Sequence, residues 1–517
     1  MAPDPARPSI LKSKLFWVGV LYFSEGFPLG VFYEIFPVWF RQRGVDLATI
    51  GALSLLGLSW TLKFLWAPAI DYWRHHRRWM AAVDVGMGFV MVAFAMHAGF
   101  GPAVFVAIAL FTMFSATNDI AIDGYTIELL SKDELGLANG VRIGMYRVGM
   151  LTSGAILMAS DALGWSGAFA CAAVIFFGLA VVSLVAPPER QVVVPRASIG
   201  RELAALARSP FALAAVAGLA LCVVWLVNNA IKWSARVPGF WAWAVGGAAV
   251  LAVLVALAGR ARGAQPSDDA GARDAGLRAN AASASGTPAA KGADDALGSG
   301  VLFGALIELL RRPGIVPVLA FILIFKLPDA AMGFMVKPFW VDAGFTAAQI
   351  GLVSVNIGLA LSIAGGVAGG WITDRIGILH ALWILGLVQA ASNLGYWAAA
   401  LALPVVAPGT PIPAAHQAIL YSASAIESFT GGLGTAAFLA FLMAIVRKDR
   451  AATEYALLSS VFALSRSVAG WAGGIGAQSM GYANWFLLTF FLAFPALVLL
   501  PWVRRMLDRQ SGRDDPA

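Results

Sequence analysis

Long runs of apolar residues, separated by short polar segments, form the dominant pattern along this chain. Each run reaches the roughly 20 residues that an α-helix needs to cross the ~30 Å hydrocarbon layer of a bilayer. The pattern predicts an all-α polytopic membrane protein with about fourteen transmembrane helices. The predicted spans cover residues 14–40, 48–69, 79–99, 101–127, 137–160, 164–186, 210–229, 239–259, 313–341, 348–371, 379–402, 415–446, 452–479 and 484–503.

The composition agrees with this class. Of 517 residues, 59% are apolar and 13% are charged, whereas soluble domains carry roughly 25% charged residues. These proportions exclude an ordinary soluble enzyme, and a chain with two cysteines is not a disulfide scaffold. Most of the 36 Lys and Arg residues fall on the cytoplasmic side when both termini are placed there, as the positive-inside rule requires. The net charge of +7 therefore indicates membrane orientation and no nucleic-acid partner.

One long segment lacks the apolar pattern. Residues 260–300 are rich in Ala, Gly, Ser, Asp and Pro and are predicted to form a disordered cytoplasmic linker. The predicted organisation is a six-helix half, an inserted helix pair, this linker, an amphipathic helix at the membrane surface and a second six-helix half. These units cover residues 1–209, 210–259, 260–300, 301–312 and 313–517.

The two predicted halves repeat each other. The segment PVWFRQRGVDLATIG at 37–51 follows the first span, and PFWVDAGFTAAQIG at 338–351 follows the ninth. Pro and Trp recur at an offset of 301 residues, and two glycines recur at an offset of 300, from Gly44 and Gly51 to Gly344 and Gly351. Two parallel six-helix halves are typical of the major facilitator fold, which is the predicted architecture.

A charged segment follows the second span. It contains an acid and several bases, and an acid occupies the matching place in the second half. Such an acid could pair with a base across the boundary of the halves and hold one state of a gate. A simple positive-inside stop is the alternative. The predicted gating residues are Asp71, Arg77, Arg78 and Asp374.

Charged residues inside the predicted spans are the main functional signal. An ionisable side chain at mid-bilayer costs roughly 2.5–3.5 kcal/mol and commonly faces an internal cavity. The proton-coupling candidates are Glu25, Asp119, Asp123, Asp329 and Glu427. The substrate-binding candidates are Glu34, Arg142, Tyr146, Arg147, Lys326, Lys337, Gln389 and Asn393, while Arg466 adds a further charge without an assigned role.

The spacing leaves two readings of the acid pair. Asp119 and Asp123 are four residues apart and share a helix face. They could couple transport to protons, or they could form structural ion pairs with Arg142 and Arg147. Lys326 is three residues from an acid with which it can pair.

Two prolines are predicted to break helices in corresponding places of the halves. They are Pro28, in FSEGFPLG, and Pro328, in FKLPDAAMG. Broken helices expose backbone groups that can line a binding site, although a packing kink is the alternative.

Seven stretches carry a resemblance to a known family. They are the segment from Lys63 to Asp71, 115–125, 144–154, 322–330, 388–397, 427–443 and 452–459. In these stretches the chain resembles the AmpG-type muropeptide permeases of bacterial peptidoglycan recycling. The resemblance implies proton-driven import of N-acetylglucosaminyl-anhydro-N-acetylmuramyl peptides from periplasm to cytoplasm. It also implies a monomer in the bacterial inner membrane, with the proton gradient in place of any cofactor and, in some bacteria, a link to β-lactamase induction.

Other functions remain open at this point. The same fold could carry a siderophore, a peptide or a coenzyme A ester. A membrane enzyme is disfavoured, because the sequence has no HExxH motif and no P-loop, and no metal site is expected. If the solute is a sugar, Tyr33, Trp39 and Trp340 could stack on its rings.

Overall fold

The computed structural model describes nine parts of the chain, and these parts are helical. They are residues 13–63, 66–67, 70, 75–97, 102–130, 135–188, 315–406, 410–446 and 451–514. The predicted helix pair 210–259, the linker 260–300, the surface helix 301–312 and the gating candidate Asp71 lie outside the described residues. The total of fourteen helices and the division into units therefore stay predictions.

The first six helices run in the order expected of one half. They are α1 (Lys14–Gln42), α2 (Leu47–Leu62), α3 (His76–Met96), α4 (Pro102–Leu129), α5 (135–163) and α6 (165–185). Gly164 has φ 68°, in the left-handed region that favours glycine, and divides the continuous helical stretch into α5 and α6.

The second six helices repeat this order. They are α7 (Ile315–Asp342), α8 (Ala347–Ile376), α9 (Ile378–Ala402), α10 (Ala414–Ala444), α11 (451–480) and α12 (482–498), followed by α13 (Leu500–Asp514). Gly481 has φ 80° and divides α11 from α12 as Gly164 divides α5 from α6. Left-handed glycines also occupy the matching α1–α2 and α7–α8 turns, at Gly44 and Gly344.

Nine continuous helical stretches in the described chain are long and apolar enough to cross a membrane. Two of them, Val141–Val185 and Leu458–Val498, contain 45 and 41 residues, about twice the length that one span needs. Dividing these two at their glycines and including the shorter apolar α2 gives twelve helices in two sets of six. No strand occurs among the described residues, and the predicted all-α membrane fold is confirmed.

The break expected at Pro28 is absent. Pro28 lies inside the helix Lys14–Gly30, and a π-helical segment, Val31–Ile35, follows it within a continuous α1. The neighbouring glycines serve close packing: a Cβ on Gly26 would overlap the backbone of Tyr146 in α5. In the second half, α7 is interrupted at Lys326, two residues before the predicted position, and resumes as Leu327–Asp342 with proline in its first turn.

The halves meet along two symmetric glycine contacts. A Cβ built on Gly51 in α2 would lie 2.5 Å from the Cα of Gly474 in α11. A Cβ on Gly351 in α8 would lie 2.5 Å from the carbonyl oxygen of Gly154 in α5. Small residues allow helix backbones in a membrane to approach this closely. Because Gly51 and Gly351 are repeat-related, the α2–α11 and α5–α8 contacts are equivalent under the internal symmetry.

The halves are also tied at the end where α1 and α7 finish, which we call the tied end. Arg41 forms a bidentate ion pair with Asp342, with Nε–Oδ1 and Nη2–Oδ2 distances of 2.6 and 2.7 Å. The Tyr482 hydroxyl donates to the same carboxylate at 2.7 Å. Arg41 and Asp342 are 301 residues apart, the offset at which Pro37 and Trp39 recur, so the pair joins equivalent positions of the two halves. We call these three residues the latch.

Two helix N-termini complete the tied end. The backbone N–H of Leu47 at the start of α2 donates to Gln478 Oε1 of α11 at 2.9 Å. The N–H of Ala348 at the start of α8 donates to Asp161 Oδ2 of α5 at 2.9 Å. The first N–H groups of a helix lack partners within the helix. At this end each half therefore supplies an acceptor for a helix of the other half.

Candidate functional site

The charged side chains of the interior fall into two clusters, one per half, and a pair that joins the halves. In the first half, Lys63 at the end of α2 approaches Asp119 of α4, with Nζ 3.5 Å from Oδ2. One turn along α4, Asp123 accepts a hydrogen bond from the Tyr22 hydroxyl at 2.7 Å and pairs with Arg142 of α5 at 3.2 Å. The guanidinium of Arg142 also lies over the Tyr22 ring, 4.5 Å from its centre. The cluster thus links α1, α2, α4 and α5.

This arrangement resolves the two pairings that the spacing allowed. Asp123 pairs with Arg142, as the structural reading required, whereas Asp119 pairs with Lys63 and not with Arg147. Arg147 has no carboxylate within 4.0 Å in the described chain. A role in proton coupling for either acid stays a prediction.

Glu25 of α1 lies among these charges and forms no ion pair within the described chain. It is buried, and its Oε2 atom has no hydrogen-bond partner in the described chain. The carboxylates of Asp119 and Asp123 and the cations Lys63 and Arg142 all lie near enough for their charges to act on it. The candidates Glu25, Asp119 and Asp123 are therefore brought together.

Another buried acid lies beside this cluster. Asp84 of α3 is fully buried and accepts hydrogen bonds from Ser24 and Asn118 at 3.2 Å and from Ser183 at 3.3 Å. No cation of the described chain lies within 4.0 Å of it. Ser24 and Asn118 directly precede Glu25 and Asp119 in the sequence, so these bonds fix the parts of α1 and α4 that carry the cluster.

The cluster of the second half is centred on Lys326, at the interruption of α7. Its Nζ donates to Asp329 Oδ2 at 3.0 Å, to Gln389 Oε1 of α9 at 2.9 Å and to Thr435 Oγ1 of α10 at 2.9 Å. Three acceptors satisfy the three donors of an ammonium group. A Cβ on Gly434 would overlap the Gln389 side chain, so a glycine at this position leaves room for that amide. The predicted Lys326–Asp329 pair is present.

Two other residues of this half, predicted to couple protons or bind substrate, are not among the hydrogen-bond partners of Lys326. Glu427 of α10 is partly exposed, and the hydroxyl of Ser428, at 3.4 Å, is its one side-chain partner among the described residues. Asn393 is buried and donates to Thr489 of α12 at 3.1 Å, which fits a contact between helices.

One ion pair joins the halves in the interior. Lys337 of α7 lies 2.9 Å from Glu34 Oε2 of α1 and donates to Ser354 Oγ of α8 at 2.6 Å. Glu34 lies in the π-helical segment Val31–Ile35, and Ser354 lies in another, Ile350–Ile357. Such segments are rare and are often found at functional sites. The two π-helical segments therefore present their polar groups to one lysine.

Two arginines of the interior have no acidic partner within the described chain. Arg147 of α5 and Arg466 of α11 are partly exposed, and no carboxylate of the described chain lies within 4.0 Å of either. The Arg466 guanidinium lies 4.4 Å from the centre of the Tyr33 ring in α1. The charges of both arginines act on Tyr146, and that of Arg466 acts on Arg147.

Other residues with a predicted role lie apart from these interior clusters. Arg77 donates to the carbonyl oxygen of Leu184 in its own half, while Arg78 and Asp374 are exposed. Their role in gating stays a prediction. Stacking of Trp39 and Trp340 on a sugar is wrong, because both side chains are fully buried in the core. Among the described residues, no group of three or more His, Cys, Asp and Glu could hold a metal ion.

Comparison with known proteins agrees with this architecture. The anhydromuropeptide permease of Escherichia coli K12 is 26% identical over 510 residues, covering 96% of this chain and 81% of that protein. A Rickettsia felis relative with AmpG in its name is 23% identical over 513 residues, covering 96% of this chain and 97% of that one. No family model matches the sequence.

Over nearly its whole length, the chain is therefore similar to membrane transporters of the AmpG type. The resemblance deduced from the seven stretches is thereby confirmed, as is the prediction that the chain is not an enzyme. A solved bacterial homologue of the lysosomal transporter Spinster matches with a TM-score of 0.62 at 11% identity, covering 99% of this chain and 100% of that one. A transporter of the POT family matches with a TM-score of 0.59 at 11% identity, covering 95% and 96%. These likenesses confirm the major facilitator fold.

Three charged residues of the interior network had no role predicted from the sequence. They are Lys63, Asp84 and Arg466, and each lies inside a predicted span. A charge within a span was the available signal for each. The latch gave no such signal, because Arg41 lies just beyond the first predicted span and its acid is 301 residues away.

Proposed function

We propose that this transporter imports anhydromuropeptides from the periplasm into the cytoplasm across the bacterial inner membrane, driven by the proton gradient. The similarity to the E. coli anhydromuropeptide permease, which extends over 96% of this chain, carries the proposal. Both termini lie in the cytoplasm in this proposal, so the tied end faces the periplasm.

The interior chemistry supports a solute with polar and anionic groups. An anhydromuropeptide combines sugar hydroxyls and amides with peptide carboxylates. The interior offers amide and hydroxyl groups at Gln389 and Thr435, and cations at Lys326 and Lys337. Lys and Arg bind carboxylates through charge-assisted hydrogen bonds. In this proposal the solute's carboxylates displace the acids that now pair with these lysines.

The cluster of the first half supplies the proton-coupling site. Protonation of Asp119 removes the charge that attracts Lys63, and protonation of Asp123 weakens its link to Arg142. Each event loosens a contact between two helices, α2 with α4 or α4 with α5. Glu25, buried beside both acids, is the third carboxylate of this site. A proton that enters here can thus change how the helices of one half pack.

Alternating access requires the tied end to open. The halves contact each other through the glycine pairs of α2–α11 and α5–α8, which allow close approach without interlocking side chains. The polar ties at the tied end, the latch above all, must break before the periplasmic solute can enter. The Glu34–Lys337 pair must also separate, because it joins the two halves in the interior.

Uptake by the pure protein in liposomes tests the proposal. Radiolabelled anhydromuropeptide should accumulate when the outside is more acidic, and accumulation should stop when an ionophore abolishes the gradient. Asp119→Asn should exchange labelled for unlabelled solute but should not accumulate it. The matched control is Asp508→Asn, at an exposed surface pair with Arg504, and it should behave as wild type.

The outcomes separate parts of the proposal. No binding and no uptake, beside a control permease that works in the same liposomes, would reject the substrate. Uptake without dependence on the proton gradient would reject the coupling. Accumulation by Asp119→Asn at the wild-type level would remove this residue from the coupling site.

A further inference from the structure

Two cations in the interior stand out because no acid of the described residues pairs with them. Of the lysines and arginines within the helical interior, four have a carboxylate 2.9–3.5 Å away: Lys63, Arg142, Lys326 and Lys337. In the described chain, Arg147 and Arg466 have none within 4.0 Å. A buried or partly buried charge without a partner is costly to keep in a membrane protein. This cost points to a partner that is not part of the chain.

The two guanidiniums belong to one place. Arg466 lies in α11 of the second half but stacks over Tyr33 of α1 in the first half, 4.4 Å from the ring centre. Arg147 directly follows Tyr146 of α5, whose backbone packs against Gly26 of the same helix α1. Both arginines therefore lie beside α1, near enough for the charge of Arg466 to act on Arg147. Like charges in proximity repel each other, so the pair is unfavourable until an anion lies between them. The pair therefore spans the boundary of the halves.

The stacking on Tyr33 leaves the N–H groups of Arg466 able to bind an oxyanion. A guanidinium has five N–H donors in one plane and no acceptor. When its face rests on an aromatic ring, its edge remains free to donate to a carboxylate or phosphate in a bidentate manner. Tyr33 is itself held by neighbouring rings: its centre lies 6.2 Å from that of Trp60 and 5.7 Å from that of Phe334. The aromatic wall thus fixes the orientation of the guanidinium.

We propose that Arg147 and Arg466 form one anion-binding site, which takes an oxyanionic group of the transported solute and bridges the two halves when it is filled. The solute class rests on the proposed function, in which a carboxylate of the muropeptide is the bound group. The site itself rests on the unpartnered pair. Filling it replaces repulsion between α5 and α11 by two attractions, so solute binding stabilises contact between the halves.

Binding to the pure protein in detergent tests the site. The ligands are an anhydromuropeptide and the same compound with its carboxyl groups converted to amides. Wild type should bind the acid more tightly than the amide, and Arg466→Gln and Arg147→Gln should each weaken binding of the acid by roughly 10- to 100-fold. The amide should bind wild type and both variants alike. Arg466→Lys should recover part of the affinity, because an ammonium keeps the charge but not the fork.

The chain offers a matched control. Arg375 of α8 also stacks on an aromatic ring, with its guanidinium 3.8 Å from the centre of Trp371, but it is exposed at the end of the helix. Arg375→Gln should bind both ligands as wild type does. Equal weakening of acid and amide in Arg466→Gln, or an acid affinity unchanged in both variants, would overturn the proposal.

Stability without solute gives an independent readout. Because each substitution removes repulsion, Arg147→Gln and Arg466→Gln should melt at a temperature equal to or above that of the wild type. A merely structural arginine would lower it, and a clear drop in both variants would contradict the proposal.

Simple anions separate this site from the proposed substrate. If wild type does not bind the anhydromuropeptide, the proposed function fails, and melting is then compared in phosphate, citrate and chloride at equal ionic strength. Stabilisation by phosphate or citrate over chloride, lost in Arg466→Gln, would support the anion site with a different solute. No difference between these anions and chloride would overturn it.

Discussion

The latch at the tied end allows a quantitative prediction about the conformational equilibrium. Arg41 makes two hydrogen bonds to Asp342, and Tyr482 makes a third. The Arg41 and Asp342 side chains are 21% and 11% exposed, so the pair lies between a surface pair and a buried one. Surface pairs contribute about 0.2–1 kcal/mol, and removal of one partner of a buried pair costs roughly 3–5 kcal/mol. We take about 2 kcal/mol for the latch.

The latch stabilises only the conformation in which this end is tied. The latch joins the halves across equivalent positions, so it exists when this end is tied and is lost when the end opens. Arg41→Gln should therefore raise the ratio of open to tied molecules by about 30-fold, since every 1.4 kcal/mol is tenfold. Asp342→Asn should have a similar effect. The double variant should add little to either single variant, because both remove the same interaction.

Double electron–electron resonance between two spin labels can measure this change in the ratio of open to tied molecules. Spin labels at Leu163, at the end of α5, and Val405, after α9, report the separation of the halves at this end, and both residues are exposed. The native cysteines, Cys171 and Cys222, are replaced first. In Arg41→Gln, a longer distance should gain population at the expense of the shorter one.

A neighbouring arginine provides the control. Arg43 lies two residues further on, with its guanidinium 4.3 Å from the centre of the Trp39 ring and no carboxylate within 4.0 Å in the described chain. Arg43→Gln should leave the distances unchanged. A distribution in Arg41→Gln that matches wild type, or an equal shift in Arg43→Gln, would refute the reasoning.

Three further substitutions test other parts of the structure. Gly51→Val should lower stability by roughly 1–3 kcal/mol and abolish transport, because even a Cβ there would lie 2.5 Å from the Gly474 backbone; thermal melting and uptake measure this, and a stable, active variant would contradict the close packing. Asp84→Leu should cost about 3 kcal/mol because it leaves several buried polar groups unpaired, whereas Asp84→Asn should cost less; equal chemical-denaturation midpoints for the two would contradict this account. Lys326→Met should reduce uptake at least tenfold, because three acceptors lose their donor, and wild-type uptake would show that the cluster has no part in transport.

Much of the fold followed from the sequence. Hydropathy is a local property, and each predicted span within the described chain corresponds to a helix. The repeat of glycines and prolines predicted two equivalent halves. The charged residues of the interior were also visible, because a charge in an apolar run is rare and expensive. The Lys326–Asp329 pair was predictable from spacing alone, since residues three apart on a helix are neighbours.

The partners of the other charges depended on the tertiary structure. Asp119 meets Lys63, and Arg41 meets Asp342, because of how whole helices cross and rotate against each other. Those crossings are decided by close backbone contacts between distant segments, such as the one between Gly51 and Gly474, which no local pattern records. The sequence by itself thus determined which residues bear charge inside the membrane, and only the packing of the helices decided which charges are neutralised and which remain free to bind.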